Sequence, residues 1–329
     1  MRLRRKRIAL AGAVATVLVA ALTSGVAGGV SGQGRKKPKP TTTTAPAPST
    51  TLAPSTTTTA PPVADPVLLA AGDIASCASS GDEATAALLD ARPSAVVATL
   101  GDNAYDSGTA TEFANCYHPT WGGSKARTHP AAGNHDYGTA GAAGYYGYFG
   151  AAAGDPSKGY YSYDLGTWHV VALNSNCSVV SCGAGSAQEQ WLRADLAASS
   201  ATCTLAYWHH PRFSSGTAHG SSTTVAPLWQ ALYDNNADLV LAGHEHNYER
   251  FGPLGPSGQV DSARGLRSFV VGSGGRSHYG FGTPLTGSEV RNSDAYGVLQ
   301  LTLAAEGFTW QFVPEAGRTF TDAGSAACH

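Results

Sequence analysis

The first 64 residues contain no acidic side chain, although the whole chain of 329 residues carries 23 aspartates and glutamates. Nine of the 21 lysines and arginines fall in that segment, so residues 65–329 have a formal net charge of −11. A nucleic-acid-binding surface requires clustered lysine and arginine. The scarcity of basic residues in this body therefore argues against a nucleic-acid partner.

The N-terminal apolar run, residues 8–22, falls short of the ~20 residues that a membrane-spanning helix needs. It follows five basic residues and precedes several small ones, an order typical of a secretory signal peptide. We place this signal in residues 1–34, with an uncleaved anchor as the alternative. The prediction is a secreted protein without stable membrane insertion after signal removal.

Residues 35–64 are basic at first and then almost entirely threonine, proline, alanine and serine. Such a composition lacks the large apolar residues of a core and predicts a disordered linker. The linker is either a plain flexible spacer or a stalk that keeps the protein near the cell wall or surface. Residues 65–329 remain for one catalytic domain, which is long enough for a full core.

No C-x-x-C pair occurs among the six cysteines, which argues against a zinc site built from thiolates. An even number of cysteines in an exported chain instead predicts disulfides. We expect the pairs Cys77–Cys116, Cys177–Cys182 and Cys203–Cys328. The first two cysteines each follow a loop that carries metal-binding residue types, the second two flank a short loop, and the last pair follows by elimination.

Apolar runs and helical patterns alternate in the first two thirds of the body. Strands are predicted at residues 66–71, 95–100, 168–173, 203–208 and 238–242, with a less clear one before Gly133. Helices are predicted at residues 81–91, 186–198 and 225–235. Strands joined by glycine-rich turns follow at residues 268–271, 296–303 and 308–313. This order favours an α/β fold with a mixed sheet.

Several of these strands end in side chains that commonly bind metals. The candidates are Asp73, Asp102, Tyr105, Asn134, His209, His244 and His246. In open α/β sheets ligands collect beyond the carboxyl ends of the strands, so we expect these side chains to converge. Oxygen and nitrogen donors without a thiolate suit iron, manganese or zinc. Seven donors exceed the needs of one tetrahedral ion, whereas two ions that share a carboxylate would use them.

Each candidate ligand also has an ordinary structural explanation. Aspartate and asparagine beside glycine often cap turns, and Tyr105 could be a core aromatic. Gly272-Ser273-Gly274-Gly275 could cradle phosphate, but a glycine-rich turn is the favoured interpretation. Five coincidences at successive strand ends argue against the structural explanation for the whole set.

The motifs occur in a characteristic order: GD at 72–73, GDNAY at 101–105, GNHD at 133–136, H-x-P at 209–211 and GHEHNYER at 243–250. In this order they resemble the calcineurin-like metallophosphoesterases, and within them the purple acid phosphatases. Tyr105, and Ala75 where many metallophosphoesterases carry a histidine, support the resemblance to the purple acid branch. The resemblance implies a four-layer αββα metallophosphoesterase sandwich with mixed β-sheets.

The resemblance also implies a role for each candidate residue. The first ion, Fe(III), would be held by Asp73, Asp102, Tyr105 and His246. The second ion, Fe, Zn or Mn, would be held by Asp102, Asn134, His209 and His244. His135 matches the catalytic histidine of the family, and the position of His219 is similar to that of a substrate-side histidine. Both are candidates for a general acid or a phosphate-binding cation.

The activity implied is hydrolysis of small phosphate monoesters by a metal-bound hydroxide. A phosphodiesterase or nucleotidase of the same superfamily would use the same ligands and is the first alternative. A stalked cell-surface binding protein without turnover is the second. The motifs do not distinguish the esterases, because that choice depends on the walls of the pocket.

Overall fold

The part of the chain that the computed structural model describes, residue 39 and residues 64–329, alternates strands with helices before it ends in strands. The 13 strands in this part are β1 (Val67–Ala71), β2 (Val96–Leu100), β3 (Thr128–Ala131), β4 (Tyr161–Leu165), β5 (Trp168–Ala172), β6 (Cys203–Tyr207), β7 (Leu239–Ala242), β8 (Tyr248–Leu254), β9 (Leu266–Val271), β10 (Ser288–Asn292), β11 (Gly297–Ala304), β12 (Gly307–Pro314) and β13 (Ala323–Ala327). Its five α-helices are α1 (Gly81–Asp90), α2 (Ala110–Glu112), α3 (Ala143–Phe149), α4 (Ala187–Ala198) and α5 (Ala226–Asp234).

The predicted signal peptide, residues 1–34, lies outside the described residues, and so does nearly all of the predicted linker, residues 35–64. These two segments and the domain boundary at residue 65 stay predictions. Among the described residues, no helix has the length and apolar character to cross a bilayer.

The strands form two mixed sheets. The first has the order β13-β12-β11-β1-β2-β3, with β1, β2 and β3 parallel and the three C-terminal strands antiparallel. The second has the order β10-β8-β9-β7-β6-β5-β4 around a parallel centre of β5, β6, β7 and β9. The parallel strands of both sheets are the strands that most of the predicted ligands follow.

Alternation of side chains along the strands builds the layers. Leu239 and Leu241 of β7 belong to the apolar core that also contains β1 and β2, whereas Val240 between them packs in the core formed with α4 and α5. Helix α1 packs against β11 of the first sheet, and Leu89 of this helix belongs to the same apolar core as β1 and β2. The result is the predicted four-layer αββα sandwich with mixed sheets.

Three disulfides cross-link the domain. They are Cys77–Cys116, Cys177–Cys182 and Cys203–Cys328, which are the predicted pairs. The first links the loop after β1 to the π-helical turn Phe113–Tyr117 that continues α2, and the last links β6 to the end of the chain. Two of the three bonds therefore connect distant parts of the sequence.

Candidate metal centre

The candidate ligands follow strands of both sheets. Asp73 and Asp102 come two residues after β1 and β2, and His209 and His244 come two residues after β6 and β7. Because β1 and β2 are adjacent in one sheet and β6 and β7 in the other, their carboxyl ends bring these side chains to one place. Asn134 follows β3, the neighbour of β2.

Three side chains surround the Tyr105 hydroxyl and form a first donor set of four residues with it. The hydroxyl oxygen lies 3.0 Å from Asp73 Oδ1, 3.1 Å from Asp102 Oδ2 and 3.2 Å from His246 Nε2. His246 Nε2 also lies 3.3 Å from Asp73 Oδ1. All four side chains are buried. These donors correspond to the residues predicted for the first ion.

A second donor set surrounds His209 Nε2. This nitrogen lies 3.1 Å from Asn134 Oδ1, 3.1 Å from His244 Nδ1 and 3.2 Å from Asp102 Oδ2. His209 is fully buried, whereas Asn134 is exposed and His244 is half-buried. The second set therefore opens toward solvent, where a substrate could reach it.

Asp102 belongs to both sets through the same oxygen, Oδ2. Asp73 and Asp102 are 0% and 2% exposed, and among the described residues their only ion-pair partners are imidazoles. Buried carboxylates are normally paired with cations or coordinate metals. This cluster of oxygen and nitrogen donors without a sulfur ligand is a candidate metal site.

Glycines let the ligand loops approach one another. A Cβ at Gly133 would lie 2.0 Å from Asp102 Oδ1, and one at Gly243 would lie 2.7 Å from Asp73 Oδ2. Any side chain at these two positions would displace a carboxylate of the site. The motif glycines therefore have a packing role that follows from the geometry of the donor sets.

The mutual contacts of the donors shift their pKa values. Burial alone would raise the pKa of Asp102, but the neighbouring imidazoles of His209 and His135 lower it below its usual value. Burial lowers the pKa of His209, but the negative charge of Asp102 has the opposite effect and outweighs it. The pKa of His209 is therefore raised to about 9. Burial, together with Asp73 and Asp102, raises the pKa of the Tyr105 phenol well above its usual value. The protein alone thus keeps the phenol protonated and pairs His209 with Asp102.

Residues beyond the donor sets orient the imidazoles. His209 Nδ1 lies 2.8 Å from the Leu100 carbonyl oxygen, and His246 Nδ1 lies 2.7 Å from Ser277 Oγ. When each Nδ1 donates its proton there, each Nε2 offers a lone pair to its donor set. Tyr279 stacks on His246 with ring centroids 4.0 Å apart. Ser277 and Tyr279 are not predicted from the sequence, because both follow a segment whose composition indicates only a glycine-rich turn.

His210 lies close to the second set although its neighbour His209 is the predicted ligand. Its ring centroid is 4.4 Å from that of His244, and its Nδ1 lies 2.8 Å from Ser175 Oγ. Burial, and then the charge of His209, lower the pKa of His210 to about 3. His210 is therefore a neutral neighbour of the site that is held by Ser175.

The two candidate acid residues flank the donor sets. His135 Nε2 lies 3.9 Å from Asp102 Oδ2, and the His135 ring is 4.4 Å from the Tyr105 ring. His219 is exposed and stacks on His244 with ring centroids 4.1 Å apart. Both imidazoles are accessible to solvent beside the candidate ligands, and their roles stay predictions.

The comparison with family models agrees with this site. The model described as calcineurin-like phosphoesterase matches residues 66–248, a range that contains both donor sets. The chain belongs to the calcineurin-like phosphoesterase family.

Similar sequences point to the predicted branch of that family. The chain is 32% identical to purple acid phosphatase 15 of Arabidopsis thaliana over 37% of its own length and 23% of that protein. It is 31% identical to an uncharacterised protein of Mycobacterium tuberculosis, over 45% of its length and 35% of that protein. The chain thus matches only about a quarter to a third of each relative.

Solved structures show the same fold. Purple acid phosphatase PPD1 from yellow lupin gives a TM-score of 0.62 at 19% identity, over 80% of this chain and 53% of that one. GAP50, described as the anchor in the inner membrane complex of Plasmodium, gives 0.61 at 16% identity, over 81% and 90%. These structures show the shared fold, and the similar sequences support the predicted resemblance to the purple acid phosphatases.

Proposed function

We propose that this protein is an exported phosphatase that hydrolyses small phosphate monoesters at a dinuclear metal centre. The observation that carries the proposal is the position of Asp102 Oδ2, within 3.2 Å of a donor in each set. A carboxylate between two donor sets is the arrangement that a pair of ions about 3.5–4 Å apart requires.

Each donor set has its own task in this proposal. Asp73, Tyr105 and His246 would hold the first ion, Asn134, His209 and His244 the second, and Asp102 both. Bound ions of this type lower the pKa of water and neutralise charge on phosphoryl oxygens. The second donor set faces solvent, so the ester could bind there. The first donor set is buried and would exclude solvent from its side of the centre.

His135 is suited to protonate the leaving group. Its Nδ1 lies 2.6 Å from the Asp106 carbonyl oxygen, so Nδ1 donates there and Nε2 is left to carry the proton that moves. That Nε2 is the atom on the side of Asp102. His219, which stacks on His244, would contact the phosphate group of the substrate.

Export is proposed on two grounds. The N-terminal signal and linker predicted from the sequence would deliver the domain outside the cell, near its surface. Three disulfides with no free cysteine in the described residues suit an oxidising compartment.

An esterase assay of Asp102→Asn tests the function. We expect the metal-loaded wild type to hydrolyse a nitrophenyl phosphate faster than the bis ester. Asp102→Asn should lose more than about 100-fold in kcat/KM, since a shared ligand supports several kcal/mol of charge stabilisation. Asp90→Asn, an exposed aspartate on α1, is the control. Preference for the bis ester would identify a diesterase, and no turnover of either ester would support a binding protein.

Metal analysis with an absorption spectrum tests the proposed Fe(III). A ferric ion bound by the Tyr105 phenolate should give a visible band that Tyr105→Phe abolishes. An active, colourless wild type with two zinc or manganese ions would contradict the iron assignment and leave the phosphatase intact.

A further inference from the structure

Glu245 lies between two candidate ligands but takes no part in either donor set. Its Oε1 accepts hydrogen bonds from the backbone N–H groups of His219 and Gly220, each at 2.5 Å. The side chain is fully buried, although His219 itself is exposed. A buried acceptor thus holds the backbone of an exposed loop residue at the mouth of the site.

The loop packs directly on this carboxylate. A Cβ at Gly216 would lie 2.3 Å from Glu245 Cδ, so only glycine leaves the carboxyl group in place. At the start of the loop, the N–H of Ser215 donates to Glu249 Oε2 at 2.7 Å. Glu249 is also fully buried and belongs to the same motif, GHEHNYER at 243–250. One segment therefore anchors both ends of the loop.

The same segment carries His244 and His246, which point into the two donor sets. His219 in turn stacks on His244 and makes an edge contact with Tyr279, at ring centroid distances of 4.1 Å and 5.7 Å. The anchor of the loop and the ligands of both ions are thus neighbours in the chain. Their relative placement is fixed as the protein folds.

We propose that Glu245 is a positioning residue that holds His219 in place beside the second donor set. The inference rests on the proposed function for the role of His219 toward the phosphate. Ordering a loop side chain at the moment of substrate binding costs conformational entropy, whereas a loop ordered in advance is ready for the reaction. Glu245 supplies this order without contact to the substrate.

Hydrogen exchange of the metal-free protein tests the anchor without any assay of activity. We expect the amides of His219 and Gly220 to be protected in the wild type and to exchange about tenfold faster in Glu245→Ala, the effect of one lost hydrogen bond. Glu245→Gln keeps an acceptor oxygen and should restore protection. Glu189→Ala is the matched control, because Glu189 is buried and accepts a backbone N–H from Gly185. Unchanged exchange in Glu245→Ala would overturn the proposal.

A double-mutant cycle with His219→Ala tests whether the anchor acts through His219. Glu245→Ala should lower kcat/KM by about 10- to 100-fold. The loss should appear in the same parameter, KM or kcat, that changes in His219→Ala. Adding Glu245→Ala to His219→Ala should then cost less than about twofold more. Both variants should bind two ions, and Glu245→Gln should retain activity.

Fully additive effects, or a normal kcat/KM in Glu245→Ala, would overturn the positioning role even in an active phosphatase. If Glu245→Ala does not fold, Glu245→Asp serves instead, because it keeps the charge and withdraws the oxygens from the loop. Failure of the proposed function itself would show differently, as wild-type protein that hydrolyses no ester.

Discussion

Three candidate ligands have a left-handed backbone conformation that residues other than glycine rarely adopt. Asp73, Asp102 and His244 have φ angles of 60°, 51° and 72°. A non-glycine residue in this region costs about 1–3 kcal/mol and persists where surrounding contacts enforce it. The backbone N–H of Asp73 donates to the Gly101 carbonyl, and that of His244 donates to Asp73 Oδ2. The ligand loops hold one another in this strained conformation.

Ser277 offers a test of the orientation of His246. In Ser277→Ala, Nδ1 of His246 loses the acceptor that lies 2.7 Å away, so the ring is free to adopt the wrong tautomer. We expect affinity for the first ion to fall about 10- to 100-fold, measured by metal titration. Ser157→Ala, an exposed serine, is the control. Equal affinity in Ser277→Ala and wild type would show that the contact does not orient the ligand.

The convergence of the candidate ligands is easier to predict from the sequence than the residues that orient them. Asp73, Asp102 and His209 each follow an apolar run directly, so the local pattern places them at a strand end. Ser277 reaches His246 only because the turn after β9 folds back over the site, which no local pattern indicates. Glu245 lies within a recognised motif, but its contact with the loop of His219 depends on where a distant segment packs.

At the scale of elements, the predicted strands are those with continuous apolar runs, whereas two of the strands that are not predicted, β10 and β13, consist of polar or small residues. The sequence of β10 is SEVRN and that of β13 is AGSAA, and both form sheet edges with mostly exposed or half-buried residues. Their pairing comes from neighbours in the sheet, not from their own composition. Helix α3, AGYYGYF, combines two glycines with four aromatic residues and has no clear helical period.

His169 links two strands of the second sheet to the helix α4. His169 of β5 lies 2.8 Å from Asp195 of α4 through Nε2 and 3.1 Å from Asp164 of β4 through Nδ1. The hydrogen bond to Asp195 is the main cause of a raised pKa for His169, opposed by burial. Protonated His169 therefore donates to both carboxylates and ties the edge hairpin to the helix.

His169→Gln tests this link through its pH dependence. Because the folded-state pKa is raised, the stabilisation is fully present below the unfolded-state value of about 6.5 and is lost as the pH rises through the folded value. We expect the variant to be less stable by about 1 kcal/mol at pH 5.5, with a smaller difference at pH 8.5. Denaturant unfolding at both pH values measures this. An equal difference at both would indicate that only packing is lost.

At the scale of the whole molecule, the C-terminal strands complete the sheet that carries the site. The family match ends at residue 248, yet β11 pairs with β1, and the loop after β1 supplies Asp73. The last strands β12 and β13 extend the same sheet, and Cys203–Cys328 ties the end of the chain to β6. The part of the chain beyond the match thus supports strands in both sheets that carry the candidate metal site.

Removal of single disulfides should show how much this closure contributes. Cys203–Cys328 spans 125 residues and Cys177–Cys182 only 5. If the bonds act by restricting the unfolded chain, Cys203→Ala with Cys328→Ala should lower the free energy of unfolding by about 5 kcal/mol, and Cys177→Ala with Cys182→Ala by about 2 kcal/mol. Denaturant unfolding of both double variants measures the difference. A larger loss from the short pair would mean that the loop at 177–182 holds its neighbours in the folded state, beside Ser175 and His210, and that chain entropy is the smaller effect.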